Sequence, residues 1–496
     1  MLGGFRLGNN EIKTKESKFW FLKYCGYGSG AIGLDLSYGL FYSFLNTYLT
    51  NVLKLSSKFL LILTPLARIW DGINDPMMGT LVDMKLFKKN KYKPWISIGA
   101  LCNAVVVILL FNNIFKLSGA SLMVYSGIMY VLWGMTNTLA DIPYWSMIPS
   151  FTSDPAKRSI ISTIARAFSG LGQGIVMIGA PLVVNLVSNT IDPKTQNKTY
   201  DAVTFNYLSV IVAIGLILFS TLCVTTVKER YTTKPKEKLS FGKSVKTAVN
   251  NDQLLIFMLF AMLSNAGFYM VSGVGAYYFD VVVGNTGKQS MFNVFGAAGS
   301  VIGLLLVPIM LKVTSRRRAY QFSLLLAMIG YAGEFASQKF IPGVGTGLMI
   351  MNIANFISQV GTGSMFVSQT VFLADIVDYG EIKMGYRAES VTFSMKGFLQ
   401  KMAYTLQTII LYASLSISHY DGDLHYNNTP MAKNAISVMM LVLPFVLMLL
   451  SLLVFTFKFK LYGKKMEDIT AQVMERREKE AAIAEEKSKK EKTADA

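Results

Sequence analysis

Long apolar blocks, separated by short polar loops, restrict the fold of this 496-residue chain more than any other feature. About twelve such blocks follow one another, each roughly 20 residues or more in length. A helix of that length crosses a hydrocarbon core about 30 Å thick, where backbone polar groups must be satisfied within the protein. Charged residues make up 16% of the chain, against about 25% in soluble proteins. We therefore predict an all-α membrane protein.

The blocks fall into two sets of six, which a basic linker separates. We expect the spans to be 24–50, 58–82, 95–116, 121–150, 160–188, 205–227, 251–283, 289–314, 318–338, 345–376, 390–418 and 433–460. The corresponding domains are a cytoplasmic N-terminus (1–23), a six-helix bundle (24–227), the linker (228–250), a second six-helix bundle (251–460) and a charged cytoplasmic tail (461–496). This plan predicts two bundles that face a central cavity.

The formal net charge of +18 predicts the topology through its distribution. Lysine and arginine residues cluster after the second, fourth, sixth and eighth spans, whereas the alternate loops contain few. Cytoplasmic loops of membrane proteins carry such an excess of positive charge. We therefore expect a multi-pass protein of the cell (plasma or inner) membrane, in contact with lipid, with both termini in the cytoplasm. Nucleic acid is not an expected partner.

The sequence offers no clear signature of an enzyme. The three cysteines lie within apolar blocks, and His419 and His425 lie in one polar loop, so neither a metal cluster nor a disulfide framework is visible. The stretch "GSGAIG" at 28–33 matches a dinucleotide fingerprint, but it opens a membrane span and not a βαβ unit. Close helix packing explains its glycines better. We expect no cofactor and no enzymatic activity.

Charged residues within the predicted spans are the strongest functional signal, because ionisable side chains at membrane depth are rare and tend to mark substrate or ion routes. They are Asp35, Arg68, Asp71, Asp75, Asp141, Arg166 and Lys401. The alternative is a set of salt bridges that locks helices together, and Arg68 could simply neutralise Asp71 one turn away. All but Lys401 belong to the first half, so we expect the site to be built largely there.

The stretch "RIWDGINDPMMG" at 68–79 concentrates these charges. Asp71 and Asp75 are four residues apart and so project from one helix face. Acids outnumber bases among the charges of the spans, so a bound cation or proton would relieve the surplus and link ion binding to substrate binding. Asp71, Asn74 and Asp75 offer oxygen ligands within little more than one turn, and Pro76 loosens the helix beside them.

Trp145 follows Asp141 by four residues and so lies on the same helix face. An aromatic ring that packs on C–H groups, beside a carboxylate that accepts hydroxyl protons, is a common arrangement for holding a sugar. Pro143 and Pro149 indicate that a span ends nearby, so a tryptophan of the membrane interface is the alternative interpretation.

Several longer motifs are typical of one family of transporters. They are "YGSGAIGLD" (27–35), "ARIWDGINDPMMG" (67–79), "KYKPWISIG" (91–99), "LWGMTNTLADIPYWSMIP" (132–149) and "ADIVDYGEIKMGYRAES" (374–390). The chain resembles the glycoside–pentoside–hexuronide:cation symporters, melibiose permease-like sugar transporters of the major facilitator superfamily. The resemblance implies twelve transmembrane helices in two bundles and import of a sugar together with Na⁺, Li⁺ or H⁺.

The resemblance also implies roles for particular residues. For the cation it implies ligation, with Na⁺ as one candidate, by Asp71, Asp75, Asn74 and Thr138. For the sugar it implies contacts from Asp35, Asp141, Trp145 and Arg166. Lys401 resembles the family lysine that links the two bundles near the cation. Members of a cytoplasmic gate that pairs with loop arginines are expected at Asp375, Asp378 and Glu381.

Departures from the family pattern leave the sugar open. Leu34, Asn137 and Gly397 stand where the melibiose branch has other, polar side chains, so melibiose itself is not expected. A neutral glycoside and a hexuronide both remain candidates, as do Na⁺ and H⁺ for coupling. The alternatives to a sugar symporter are a cation-coupled carrier of an amphipathic lysolipid and a non-transporting sugar sensor. We expect the protein to function as a monomer.

Overall fold

The computed structural model describes residues 20–83, 87, 90–148, 151, 155–229, 250–342, 345–384, 389–473 and 475–476. Their long helices, labelled in chain order, are α1 Trp20–Thr47, α2 Ser57–Asp83, α3 Lys93–Leu110, α4 Gly119–Ser146, α5 Pro155–Val187, α6 Ala202–Thr226, α7 Asp252–Tyr277, α8 Lys288–Val313, α9 Arg316–Phe340, α10 Thr346–Met384, α11 Glu389–Ile417 and α12 Pro430–Lys458. Strand pairing within these ranges is limited to one isolated bridge between Ile191 and Lys198. Most of the predicted N-terminal segment, linker and tail lies outside the described residues.

Seven of the described helices are long and apolar enough to cross a membrane. They are Lys93–Leu110, Ile160–Val187, Ala202–Thr226, Asp252–Val282, Lys288–Val313, Thr346–Met384 and Pro430–Lys458. Large apolar side chains are exposed on helix surfaces, among them Leu66, Leu101, Ile214 and Leu305. Exposed apolar surface on this scale is stable only against another apolar phase. The chain is a helical, multi-pass membrane protein.

The helix pairings repeat along the chain. In the first half, α1 packs against α5 and α6, α3 packs against α4 and α6, and α2 packs against α4. Each of these pairings recurs six helices later, with α7 against α11 and α12, α9 against α10 and α12, and α8 against α10. Between the halves, α2 contacts α11, α5 contacts α8 and α1 contacts α7. The two halves therefore share one arrangement of helices, as in a transporter built from an internal repeat, although the raw sequence does not show the repeat.

Both α1 and α7 end in a single π turn, at Tyr48–Val52 and Tyr278–Val282 respectively. A π turn adds a residue to the helical repeat and thereby redirects the side chains on it. The two turns bring Asn51 and Asp280 together, with the Asn51 amide nitrogen 3.4 Å from a carboxylate oxygen of Asp280. The repeated turn therefore places polar side chains of both halves at their interface.

Hydrogen bonds between the halves cluster at the end of the molecule where α1 finishes, which we call the closed end. Thr50 lies 2.7 Å from the hydroxyl of Tyr277, and Tyr420 donates to Asn51 over 2.7 Å. On the loop after α5, the Asn197 amide donates to a backbone carbonyl of the loop before α8, at 2.8 Å. These polar contacts hold the two halves together on one side of the membrane-crossing region.

The glycine-rich stretch at 28–33 is a packing surface, as its position in a span indicates. A Cβ atom on Gly30 would lie 2.7 Å from the ring of Tyr144, and one on Gly33 would lie 3.1 Å from a backbone oxygen of α6. Only glycine permits this approach without displacing a neighbouring helix.

Candidate functional site

A buried ion pair lies at the centre of α2. The Arg68 guanidinium donates to Asp71 over 2.6 Å, and the two side chains are 2% and 8% exposed. The other arginine nitrogen donates to the Tyr130 hydroxyl at 3.2 Å. The guanidinium carbon lies 5.0–5.8 Å from the ring centres of Phe41, Tyr42, Tyr130 and Tyr404. The spacing of three residues along one helix produces the pair, and the rings exclude water from it.

Asp71 also approaches α4 closely. A Cβ atom on Gly134 would lie only 2.7 Å from the second carboxylate oxygen of Asp71, so a larger residue there would displace this oxygen. Asn74, one turn further along α2, is buried, and its amide nitrogen has no hydrogen-bond partner among the described residues. A buried donor without a partner is unusual in a folded protein, so Asn74 is a candidate for a contact with a ligand.

Asp75 connects the two halves of the protein. One of its oxygens accepts a hydrogen bond of 3.2 Å from the Thr138 hydroxyl on α4, and the other forms a salt bridge with Lys401 on α11. Both side chains of the salt bridge are partly exposed, at 37% for Asp75 and 22% for Lys401. The structure thus brings together the residues predicted to bind the cation and places the predicted bundle-linking lysine directly on one of them.

The residues predicted to contact sugar form a second, neighbouring group. The indole nitrogen of Trp145 donates to the Asp141 carboxylate over 2.9 Å, as their spacing of four residues predicts. The Arg166 guanidinium of α5 lies 4.9 Å from the centre of the Trp145 ring. Asp35 lies on α1 where it meets α5, and its Cβ would be 3.1 Å from a Cβ placed on Gly172. Trp145 is thereby oriented by an acid on one side and a base on the other.

The two groups share one region of charge. The charges of Asp35 and Asp141 interact with that of Arg166, and Asp141 also interacts with Asp75 and Lys401. Unit charges in a medium of low dielectric constant influence each other over several ångströms. A change at Asp75 is therefore felt at the sugar-contact group.

The predicted gate residues lie on the second part of α10. Asp375 forms a salt bridge with Arg316, the first residue of α9, and Asp378 lies close enough to Asp375 for their charges to repel. Glu381 is buried one turn further along. Arg316 and Asp375 both belong to the second half, so this pair on its own holds two helices of that half together.

The expectation that the second half contributes mainly Lys401 is wrong. The structure places Lys396, Glu334 and Asp280 within helices of the second half, and Glu334 and Asp280 are buried. The Ser358 hydroxyl donates to Glu334 at 2.9 Å, and His425 lies 2.8 Å from Asp280. Lys396, Glu334 and Asp280 all lie within or at the end of a predicted span. The search for charged residues within spans, which found Lys401, therefore also applies to these three.

Counting Lys396 also corrects the predicted surplus of acids around the site. Four acids, Asp35, Asp71, Asp75 and Asp141, face four bases, Arg68, Arg166, Lys396 and Lys401. Two of the acids form salt bridges with internal cations, Asp71 with Arg68 and Asp75 with Lys401. Each of these two carboxylates is therefore already paired with a positive side chain of the protein.

A repeated helical fold around charged groups at the interface of its halves defines a secondary transporter of the major facilitator type. The solved structure of a D-xylose–proton symporter has this fold, with a TM-score of 0.60, 13% sequence identity, and coverage of 89% of this chain and 98% of that one. At this identity the similarity concerns the fold alone.

Sequence comparison gives the family. The model of the family described as MFS/sugar transport protein matches residues 26–462, and the chain belongs to this family. The uncharacterized symporter YjmB of Bacillus subtilis (strain 168) is 25% identical over 469 residues, covering 93% of this chain and 97% of the relative. A lactose permease of Lactobacillus helveticus is 24% identical over 478 residues, covering 92% and 72%. The protein is a sugar transporter, as the resemblance in its motifs implies.

Proposed function

We propose that this sugar transporter is a symporter that imports its sugar together with Na⁺ or H⁺, with Li⁺ as a further candidate ion. It does so by alternating access between two six-helix bundles with twelve membrane crossings, as a monomer in the cell membrane with both termini in the cytoplasm. The names of its relatives, a symporter and a lactose permease, support this proposal. The sugar itself is not fixed by these names.

The position of Asp75 is the single observation that carries the coupling. Its carboxylate is shared between Thr138 of the first half and Lys401 of the second. A cation that binds Asp75 with oxygens of Asp71, Asn74 and Thr138 displaces the Lys401 ammonium, and this removes a link between the halves. The same event changes the charge next to Asp141, which belongs to the sugar-contact group. Ion binding and sugar binding are thereby linked.

Under this proposal, the position of the closed end indicates toward which side of the membrane the transporter is shut. The α1 helix runs from Trp20 toward the closed end, so a cytoplasmic N-terminus makes the closed end the outer one. The structure then corresponds to a state that is shut toward the outside. In this state, Lys401 of the second half is paired with Asp75 of the first.

A lysolipid carrier is the second candidate, and one observation bears on it. A groove of about 440 Å³ between α2 and α4 is lined by apolar residues, including Phe59, Leu63, Met123 and Ile128. Leu63 precedes Arg68 by five residues, so the groove lies beside the charged groups and does not include them. Competition for binding between sugars and a lysophospholipid separates the two functions.

Transport by purified protein in proteoliposomes tests the symport. We expect accumulation of at least one labelled sugar from a panel when either a Na⁺ gradient or a pH gradient, imposed independently, is directed inward. The Asp75→Asn variant keeps the size of the side chain but removes its charge, so accumulation should fall to the level of equilibration. Asp468→Asn is a matched control, because Asp468 is exposed on the helix after α12.

Two outcomes contradict the proposal. Accumulation that depends on neither ion rules out symport with Na⁺ or H⁺. Normal gradient-driven accumulation by Asp75→Asn rules out this carboxylate as the coupling group, even if another ion route exists.

A further inference from the structure

Lys396 is a charged side chain of the second half that the cation site does not use. It lies on α11, five residues before Lys401, and its ammonium donates to the Thr370 hydroxyl on α10 at 2.6 Å. No carboxylate of the described residues lies within salt-bridge distance of it. A hydroxyl group leaves the positive charge uncompensated, so Lys396 retains the capacity to bind an anion.

Arg166 is the corresponding cation on the first half. Its guanidinium contacts the Trp145 ring, it is exposed, and it likewise forms no salt bridge with a described carboxylate. The charge of Arg166 acts on the Lys396 ammonium, and no described carboxylate does so to a comparable extent. The two cations therefore lie near each other, one from each half of the protein.

Open space adjoins both cations. A Cβ atom on Gly397, the residue next to Lys396, would meet no atom within 4 Å, and the same holds for Gly170, one turn after Arg166. Two positive charges close to each other repel, and a single anion bound by both removes this repulsion. Among the described residues, no carboxylate forms a salt bridge with either cation, so a negative group of a ligand can bind there.

The acids of the site lie on the first half. Asp35 and Asp141 belong to α1 and α4, and their charges act on Arg166. The region is therefore polarised: the first half has carboxylates that accept hydrogen bonds from hydroxyl groups, and the second half has a lysine ammonium that donates them. A ligand with hydroxyl groups at one end and a negative group at the other fits this distribution.

We propose that the sugar carried by this protein bears an anionic group, a carboxylate or a sulfonate, which Lys396 and Arg166 bind together. Asp35 and Asp141 then accept hydrogen bonds from the hydroxyl groups of the ring, beside Trp145. This inference rests on the proposed sugar symport and specifies its substrate class. Because the two cations belong to different halves, the anionic group also draws the halves together around the loaded site.

Binding of paired glycosides to the full-length protein in detergent or nanodiscs tests the proposal. The p-nitrophenyl β-D-glucuronide and β-D-glucoside differ only in a carboxylate at C6, and a 6-sulfonate glucoside provides the sulfonate arm. We expect the wild-type protein to bind one of the anionic glycosides about tenfold or more tightly than the neutral one, equal to ~1.4 kcal/mol. The anionic glycoside that binds more tightly shows whether the site binds a carboxylate or a sulfonate.

Variants at Lys396 assign the preference to this side chain. Lys396→Gln should lower affinity for the anionic glycoside about tenfold or more and leave the neutral one unchanged, since charge-assisted hydrogen bonds are the stronger ones. Lys396→Arg keeps the charge and should stay within about threefold of wild type. Lys433→Gln is the matched control, because Lys433 lies at the closed end against the Tyr426 ring.

The outcomes that overturn the inference differ from those that overturn symport. The inference is wrong if the neutral glycoside binds as tightly as both anionic ones, or if Lys396→Gln weakens neutral and anionic glycosides equally. Ion-dependent uptake of a neutral glycoside alone leaves the symport standing and refutes only the anionic substrate. If no glycoside of either kind shows ion-dependent uptake, the proposed function itself fails.

Discussion

Replacement of Arg68 by methionine tests whether one internal cation holds Asp71 in its buried position. The guanidinium lies 2.6 Å from the carboxylate, and neither side chain exceeds 8% exposure. Methionine retains an unbranched apolar chain that can pack among the surrounding aromatic rings, and it removes the charge and the hydrogen bond to Tyr130. Asp71 is then a buried carboxylate without its partner.

The magnitude follows from the burial of the pair. Removing one partner of a buried ion pair costs roughly 3–5 kcal/mol, and the lost hydrogen bond to Tyr130 adds about 1 kcal/mol. A folding unit of 150–250 residues loses about 2–4 °C in melting temperature per kcal/mol. We therefore expect Arg68→Met to melt at least about 8 °C below the wild type. Removing both charges, as in Arg68→Met with Asp71→Leu, should restore most of this loss, because apolar replacements of buried pairs are often neutral.

Thermal melting of the detergent-solubilised protein, followed by its loss from the monodisperse peak on size-exclusion chromatography, measures the effect. Arg318→Met is the control, since Arg318 is exposed at the beginning of α9. Added Na⁺, compared with choline, should recover part of the loss in Arg68→Met if Asp71 is a cation ligand. A single variant that melts like the wild type, or a double variant no more stable than the single one, would refute the reasoning.

Two further predictions concern the contacts between the halves. Lys401→Gln removes the internal competitor for Asp75, so cation affinity should rise about tenfold, measured by ion-dependent thermal stabilisation; a fall in affinity would contradict the competition. Burial lowers the pKa of His425 and the Asp280 carboxylate raises it, and the net result is a raised pKa. The protonated imidazole therefore stabilises the contacts between the halves at the closed end. This stabilisation is fully present below about pH 6.5 and is lost as the pH rises through the raised pKa. Thr195 lies beside Gly284 in the closed end. Because thiolate formation speeds labelling at higher pH in any case, labelling of a Thr195→Cys variant should increase with pH more steeply than labelling of the same variant with His425→Gln; identical pH profiles of the two would count against the prediction.

The ends of a helix are predictable to within a few residues where the apolar segment of the sequence begins and ends with the helix. The sequence predicts a third span over 95–116, but α3 ends at Leu110, because the Asn113 side chain hydrogen-bonds the backbone of Leu117 and competes with helix continuation. It predicts a tenth span over 345–376, but the helix continues to Met384 through charged residues. Hydropathy detects the buried apolar part of a helix and does not report where its hydrogen bonding stops.

The candidate site was predictable only in its local parts. Spacing along one helix is enough to pair Arg68 with Asp71 and Trp145 with Asp141. The salt bridge of Asp75 with Lys401 spans 326 residues, and only the packing of α2 against α11 makes it. Lys396 lies in the same predicted span as Lys401, so the rule for charges within spans covers both, and only its contact with Thr370 on α10 depends on the fold.

The two aspartates that looked equivalent in the sequence have different mechanical roles under the proposed mechanism. Asp71 and its partner Arg68 both lie on α2, so a movement of one half against the other does not by itself separate them. Asp75 is paired across the interface between α2 and α11, so any rotation that separates these helices breaks its contact with Lys401. A cation that binds Asp75 neutralises its carboxylate when the contact with Lys401 breaks. Asp71 is paired within its own helix and needs no new partner during this movement. Coupling of ion binding to movement therefore depends on Asp75, and Asp71 serves as a fixed part of the cation site.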